Sequence, residues 1–140
     1  MLVDARGVPL SIIVCAANRH DVTQLEPTLD GVVMRRPRAG APSKQHLCAD
    51  AAFQGARAEQ AIRRRRYVPH VRPRIEEIRI KKRHPPRRWV VEVTHSWFNR
   101  FRKLLVRYEK THRSYLALTM LAAAIISFRN VPSRLNIIYG

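Results

Sequence analysis

Positive charge in this 140-residue chain is crowded into one stretch, and that crowding limits how the chain can fold. Residues 61–113 hold eighteen Lys and Arg against four Asp and Glu, a net of +14. Residues 1–60 hold seven against six, a net of +1, and residues 114–140 add Arg129 and Arg134 only. A segment so basic must stay at the surface, because unpaired charge is costly to bury. Apolar residues make up 46% of the chain, enough for one domain and too many for a disordered basic tail. A total of +17 points to a polyanionic partner, and nucleic acid offers a dense line of phosphates.

Two cysteines, Cys15 and Cys48, exclude a disulfide framework and any CxxC-type zinc module. Each lies in an apolar run and reads as a small buried hydrophobe, consistent with a reducing, intracellular setting. The run from Val8 to Ala17 follows Asp4 and Arg6 and contains Pro9, which makes a poor signal peptide and a plausible strand. The greasy stretch from Tyr115 to Phe128 is 14 residues long, too short for a membrane span, and reads as a buried core helix.

Periodicity places the elements. Leu2-Val3 ends a strand, Asp4 to Gly7 turns, and Pro9 to Ala17 forms a strand buried on both faces. Asp21 or Thr23 caps a helix over Val22 to Val33, with Leu25, Leu29 and Val32/Val33 on one stripe. Arg35 to Ser43 is a loop. Gln45 to Asp50 is a short buried strand ending in an acid. Gly55 to Arg66 is a helix, and Tyr67 to Val71 a strand near an edge because of Pro69. Arg72 to Pro86 is a charged loop. Pro86 starts a long helix to about Lys110, with Trp89, Val93, Trp97, Phe101, Leu104, Leu105 and Tyr108 on one stripe. Tyr115 to Arg129 is the last helix. Strands alternating with helices, with a helical C-terminal end, give an α/β domain.

Two acids stand out. Asp50 closes a strand, where open α/β sheets place their ligand sites. Glu92 lies in the first turns of the long helix, one turn after Arg88 and one before His95 and Ser96. As isolated residues they read equally as a turn cap and as an i, i+4 partner of Arg88.

The ordered run of motifs adds to this reading. Ala17-Asn-Arg-His-Asp21, Leu25-Glu-Pro-Thr-Leu-Asp30, Gln45-His-Leu-Cys-Ala-Asp50, Arg64-Arg-Arg-Tyr-Val-Pro-His-Val-Arg72 and Pro85-Pro-Arg-Arg-Trp-Val-Val-Glu92…His95-Ser-Trp-Phe-Asn-Arg-Phe-Arg102 together resemble bacterial insertion-sequence transposases of the DDE type. The resemblance covers roughly residues 2–129. It implies an RNase H-like mixed sheet with flanking helices over residues 1–130, followed by a tail over 131–140. It also implies Mg²⁺ or Mn²⁺ held by two Asp and one Glu, with Asp50 as the second Asp and Glu92 as the Glu. Mg²⁺ suits such a site because it is hard and prefers carboxylate oxygen. DNA contacts fall to Arg88 and Arg100. The phosphate-positioning groups are Arg63, Arg64, Arg65 and Arg66, with the basic run Arg79 to Arg83 that contains Lys81, Lys82 and Arg83. Trp97 reads as core.

The chain departs from that family in two places. The first catalytic Asp belongs to a strand upstream of residue 1, so the domain is expected to lack its first strand, and Asp4 is not its counterpart. Ala51-Ala-Phe53 stands where the family has Lys-Gly-Tyr after the second Asp, which removes a cation and a permissive turn residue. The expectation is a transposase-family protein of DNA transposition, truncated or one frame of a split gene, and weak or inactive alone. Its expected partners are transposon ends, target DNA, and a full-length transposase or another copy of itself. It is expected in the bacterial cytoplasm, with the nucleoid and without membrane. One alternative is a non-catalytic basic DNA-binding remnant that inhibits or partners an intact transposase. Another is an amphipathic peripheral membrane protein.

Overall fold

A computed structural model describes residues 1–16, 18–36, 44–71 and 89–130. The expected loop at Arg72 to Pro86, the start of a helix at Pro86, and the tail from residue 131 lie outside these residues. So do Lys81, Lys82, Arg83 and Arg88.

The described chain is mixed α/β. Strand β1 (Leu2–Val3) pairs antiparallel with β2 (Pro9–Ser11). The Asp4 carboxylate builds the turn between them, accepting from the amides of Arg6 at 2.8 Å and Val8 at 2.9 Å. Gly7 completes it at φ +88°, a left-handed conformation that glycine adopts without steric cost. A 3₁₀ turn (Asp21–Gln24) leads into α1 (Leu25–Asp30). Strand β3 (Gln45–Ala49) is followed by a 3₁₀ turn (Ala51–Phe53), α2 (Ala56–Arg64) and β4 (Tyr67–Val71). β3 and β4 pair in parallel, Gln45 opposite Tyr67 through Ala49 opposite Val71. Helix α2 is the crossover that such a pairing requires. Then come α3 (Trp89–Asn99), the single turn α4 (Arg102–Leu105) and α5 (His112–Arg129).

One apolar cluster joins the two sheets. Leu25 and Leu29 of α1, Leu47 of β3, and Ala58 and Ile62 of α2 form its buried centre. Leu2 of β1, Phe53, Tyr67 and Val71 pack around it. Gly31, just past α1, lies against Ser11 of β2 so closely that a Cβ would come within 2.5 Å of the Ser11 hydroxyl.

Several expectations are corrected. The strand from Pro9 stops at Ser11, and Cys15 and Cys48 are both exposed. The helix over Val22 to Val33 is shorter: its stripe ends at Leu29, and Val33 is 92% exposed. The long helix to Lys110 breaks at Asn99, because Phe101 takes an extended conformation at φ −87°, ψ 93°. Its buried side is Val90, Thr94 and Leu104, and Trp89, Leu105 and Tyr108 face solvent. α5 buries only Thr119, Ala122 and Ile126, leaving Met120, Leu121 and Phe128 exposed. No helix among the described residues is long and apolar enough to cross a membrane.

α3 is fixed to the β1–β2 turn by one buried contact. The hydroxyl of Thr94, which has no solvent exposure, lies 2.7 Å from the Gly7 carbonyl and 3.0 Å from that of Val90, and it can donate to either. The Trp97 ring closes over Gly7, within 3.3 Å of where a Cβ would stand. Thr94→Val keeps the shape and leaves the Gly7 carbonyl unpaired, so it should cost about 1–2 kcal/mol in urea unfolding. Gly7→Ala adds left-handed strain to a 2.9 Å clash and should cost about 2 kcal/mol or more.

Candidate functional site

Asp50 sits where sequence reasoning put it, just past the carboxyl end of β3. It is exposed, and one carboxylate oxygen accepts from the Ala51 amide at 2.6 Å, capping the 3₁₀ turn that follows. The side chain thus serves as a cap and also faces solvent. Ala51 to Phe53 form that turn with no residue at positive φ, so the glycine expected there is not required.

This turn packs on the one that begins at Asp21. Sequence reasoning treated Asp21 as a helix cap only; nothing in its spacing signalled that the two turns meet. The Met1 amino group lies within electrostatic reach of Asp21 and Cys15. Burial holds that amine below its ordinary value of 8.0, and the two neighbours partly offset the effect.

Glu92 occupies the exposed side of α3, opposite the buried pair Val90 and Thr94. His95 lies one turn on. Desolvation lowers its pKa from 6.5, and the Met1 ammonium lowers it further. Asp50 and Glu92 ride on different packing units, since α3 packs on β1 and α5, and β3 on β4. Among the described residues, no three His, Cys, Asp or Glu side chains are gathered to hold a metal ion. Exposed carboxylate oxygens on Asp50 and Glu92 do match the donor chemistry of Mg²⁺, which commonly takes one or two carboxylates and keeps its waters.

The four-arginine run is not uniform. Arg63, Arg64 and Arg66 are exposed, and Arg63 makes only a surface pair with Glu59 at 3.7 Å. Arg65 turns inward. Its guanidinium donates to both Asp30 oxygens at 2.6 Å, to Glu26 at 3.1 Å and to the Ala61 carbonyl at 3.0 Å. Those acids hold its proton more tightly still, and its hydrogen bond to Asp30 pulls the Asp30 pKa down. Arg65 thus ties α1 to α2, a structural role that its place in the arginine run did not signal. Arg100 is exposed in the turn after α3.

Residues 1–127 match the family model described as Transposase DDE domain. The chain belongs to the DDE transposase family. It is also 32% identical over 137 residues to a Burkholderia cepacia protein titled "Putative transposase for insertion sequence element IS402". That match covers 94% of this chain and 62% of the relative, so the chain spans about three-fifths of the relative's length. No solved structure matches it.

Stability should fall with acid in two stages. The Met1 amine and His95 bind protons less tightly in the folded chain than in the unfolded one, so the unfolded state takes up more protons as pH falls. Their contribution is full above about pH 8 and shrinks as pH falls below their ordinary values of 8.0 and 6.5. The Asp30 contribution is present above its ordinary 3.8 and is lost as pH falls through its lower folded value. Urea midpoints should therefore decline from about pH 9 to about pH 5. His95→Gln should flatten the lower part of that decline.

Proposed function

We propose that this DDE-family chain binds DNA and contributes Asp50 and Glu92 to metal-dependent phosphodiester cleavage and strand transfer. The observation that carries this reading is an exposed Asp50 at the carboxyl end of a parallel strand pair, within a chain of the DDE family. We read the two sheets as parts of an RNase H-like mixed sheet. The order of an antiparallel pair followed by a parallel pair supports this.

Mg²⁺ or Mn²⁺, when bound, supplies activation of a water or 3′-hydroxyl and stabilisation of the leaving 3′-oxygen. The chain's own residues position the groups. The Ala51 amide fixes the orientation of the Asp50 carboxylate. The Thr94–Gly7 contact fixes the rotation of α3 and so the direction of Glu92. Arg63, Arg64, Arg66 and Arg100 neutralise phosphates and set the register of DNA without reading its sequence. Asp50 and Glu92 are read as counterparts of two of the family's three acids. The DNA partners in this reading are transposon ends and target, with a full-length transposase or a second copy as the protein partner.

Calorimetry with Mg²⁺ or Mn²⁺ separates this reading from a purely binding role. Heat that disappears in Asp50→Ala supports a working carboxylate site, and DNA binding indifferent to metal supports the non-catalytic binder. Nicking or strand transfer by the purified chain that survives Asp50→Ala would overturn the catalytic role of Asp50.

The arginines give a second test. Replacing Arg63, Arg64 or Arg66 with Ala should each lower the salt slope of duplex binding by about 0.9 and leave stability within about 0.5 kcal/mol. Arg65→Ala should do the reverse, lowering stability by about 1 kcal/mol with the slope of the folded chain unchanged.

A further inference from the structure

Helix α5 is apolar on two opposite sides. It packs on α3, α4 and β2 and buries Thr119, Ala122 and Ile126. Half a turn round the helix, Ala117, Met120, Leu121, Ala124 and Phe128 are exposed. No Lys, Arg, Asp, Glu or His lies between Ser114 and Phe128. A surface helix ordinarily carries polar residues opposite its buried stripe, and a helix that is apolar all round is a covered one. Beside the exposed stripe, Leu118, Leu121 and Ile125 line a groove of about 230 Å³ with Phe101 and Leu104, so the apolar face continues onto α4.

The stripe matches itself. Positions 117, 121, 124 and 128 step by four, three and four, the seam of two helices packed side by side. A two-fold axis level with the middle of the seam sets two such helices antiparallel. Leu121 then stands opposite Ala124 of the second copy, and Phe128 opposite its Ala117. Each pair puts a large side chain against a small one, so the two faces interdigitate. A symmetric dimer requires this of a patch, because the same surface serves on both subunits.

We propose that a second copy of this chain docks on this face, α5 against α5, in an antiparallel two-fold pair. Phe128, Leu121 and Met120 are 80%, 58% and 45% exposed, which leaves on the order of 350 Å² of these three side chains in water. The two alanines and the groove rim bring this near the roughly 500 Å² per copy that the smallest specific interfaces bury. The seam holds no charge to desolvate. Repulsion between two chains of +17 falls away with salt, since exposed charges beyond about 10 Å are screened at 0.1 M. The surface stands apart from the carboxylate chemistry. It assigns the face through which a second copy docks, and because α5 packs on α3 it ties the two Glu92-bearing helices to one shared seam.

The test is sedimentation of the whole chain over a range of concentrations, at about 0.3 M salt to screen repulsion. The mean mass should rise from the 16.3 kDa of one copy towards twice that value. Leu121→Ala opens a cavity in the seam and Ala124→Leu overfills it, so each should raise the dissociation constant by about tenfold. The two together should return it to within about threefold of the original, because the exchange re-creates a large residue opposite a small one. Phe128→Glu should raise it by about a hundredfold by placing a charge in the seam. Asp50→Ala should leave it within about twofold, so this test and the metal titration fail separately. Circular dichroism checks the fold of each variant, and if one does not fold, the concentration dependence of the unaltered chain decides. A single copy at every concentration overturns the assignment, whether it floats with anionic vesicles or shields Phe128 with its own last residues. So does a dimer that Phe128→Glu leaves intact, or a double exchange that associates no better than the single variants.

Discussion

The buried hydroxyl of Thr94 against the backbone of Gly7 is the contact on which the rest of the site depends. It joins residues 87 apart in sequence, and it lies where helix α3 crosses the β1–β2 turn. Neither partner can be changed cheaply. Gly7 must hold φ +88° while leaving room for the hydroxyl and for the Trp97 ring, and Thr94 must be small, polar and fully enclosed. Fixing the buried face of α3 in this way also fixes the opposite face. Glu92 and His95 are held out toward solvent because Val90 and Thr94 are held in.

A second anchor acts through charge. Arg65 comes from the most basic run of the chain, yet it is the one arginine of that run drawn into the fold, by Asp30 and Glu26. Three charge-assisted hydrogen bonds and the Ala61 carbonyl satisfy most of its donors. Its neighbours Arg63, Arg64 and Arg66 keep their charge at the surface. One linear motif therefore divides into a structural residue and an interaction surface. The division follows from helical geometry: Arg65 lies at the end of α2, four residues past the buried Ala61, on the side that meets α1.

Much of the fold was legible in the sequence because it rests on local signals. The turn at Asp4 to Gly7 follows from an Asp that bonds its own backbone and a Gly two residues before the next strand. The strand Tyr67–Val71 and the placement of Asp50 after Gln45–Ala49 follow from short apolar runs with an acid at the end. The misreadings arose where several arrangements share one pattern. Trp89, Val93, Trp97, Phe101 and Tyr108 recur at helical spacing, but the helix stops at Asn99 and the buried positions are Val90 and Thr94. Thr94 was invisible to a search for apolar stripes because its burial depends on the Gly7 carbonyl. Nor could periodicity show that Arg65 has two acids waiting on α1, or that His46 and His70 touch across a strand pair 24 residues apart.

The two sheets explain why the acids are harder to place than the elements that bear them. A two-stranded pair is marginal by itself, and a parallel one more so, since parallel strands are normally covered on both faces. Among the described residues the α1–α2 layer covers one face of β3–β4, and β1–β2 has just two and three residues in its strands. The apolar bridge between them from β1 is Leu2, which packs on the cluster around Leu47. Asp50 is attached to the Leu47 side of that bridge. Glu92 is attached, through Thr94 and Gly7, to the Leu2 side. Among the described residues, the relative position of the two carboxylates therefore rests on a half-buried leucine, the close Gly31–Ser11 approach and a single turn rather than on pairing between the two sheets. Small residues at Gly7 and Gly31 matter for the same reason. They let α3 and α1 come close enough to the first hairpin to hold it in place.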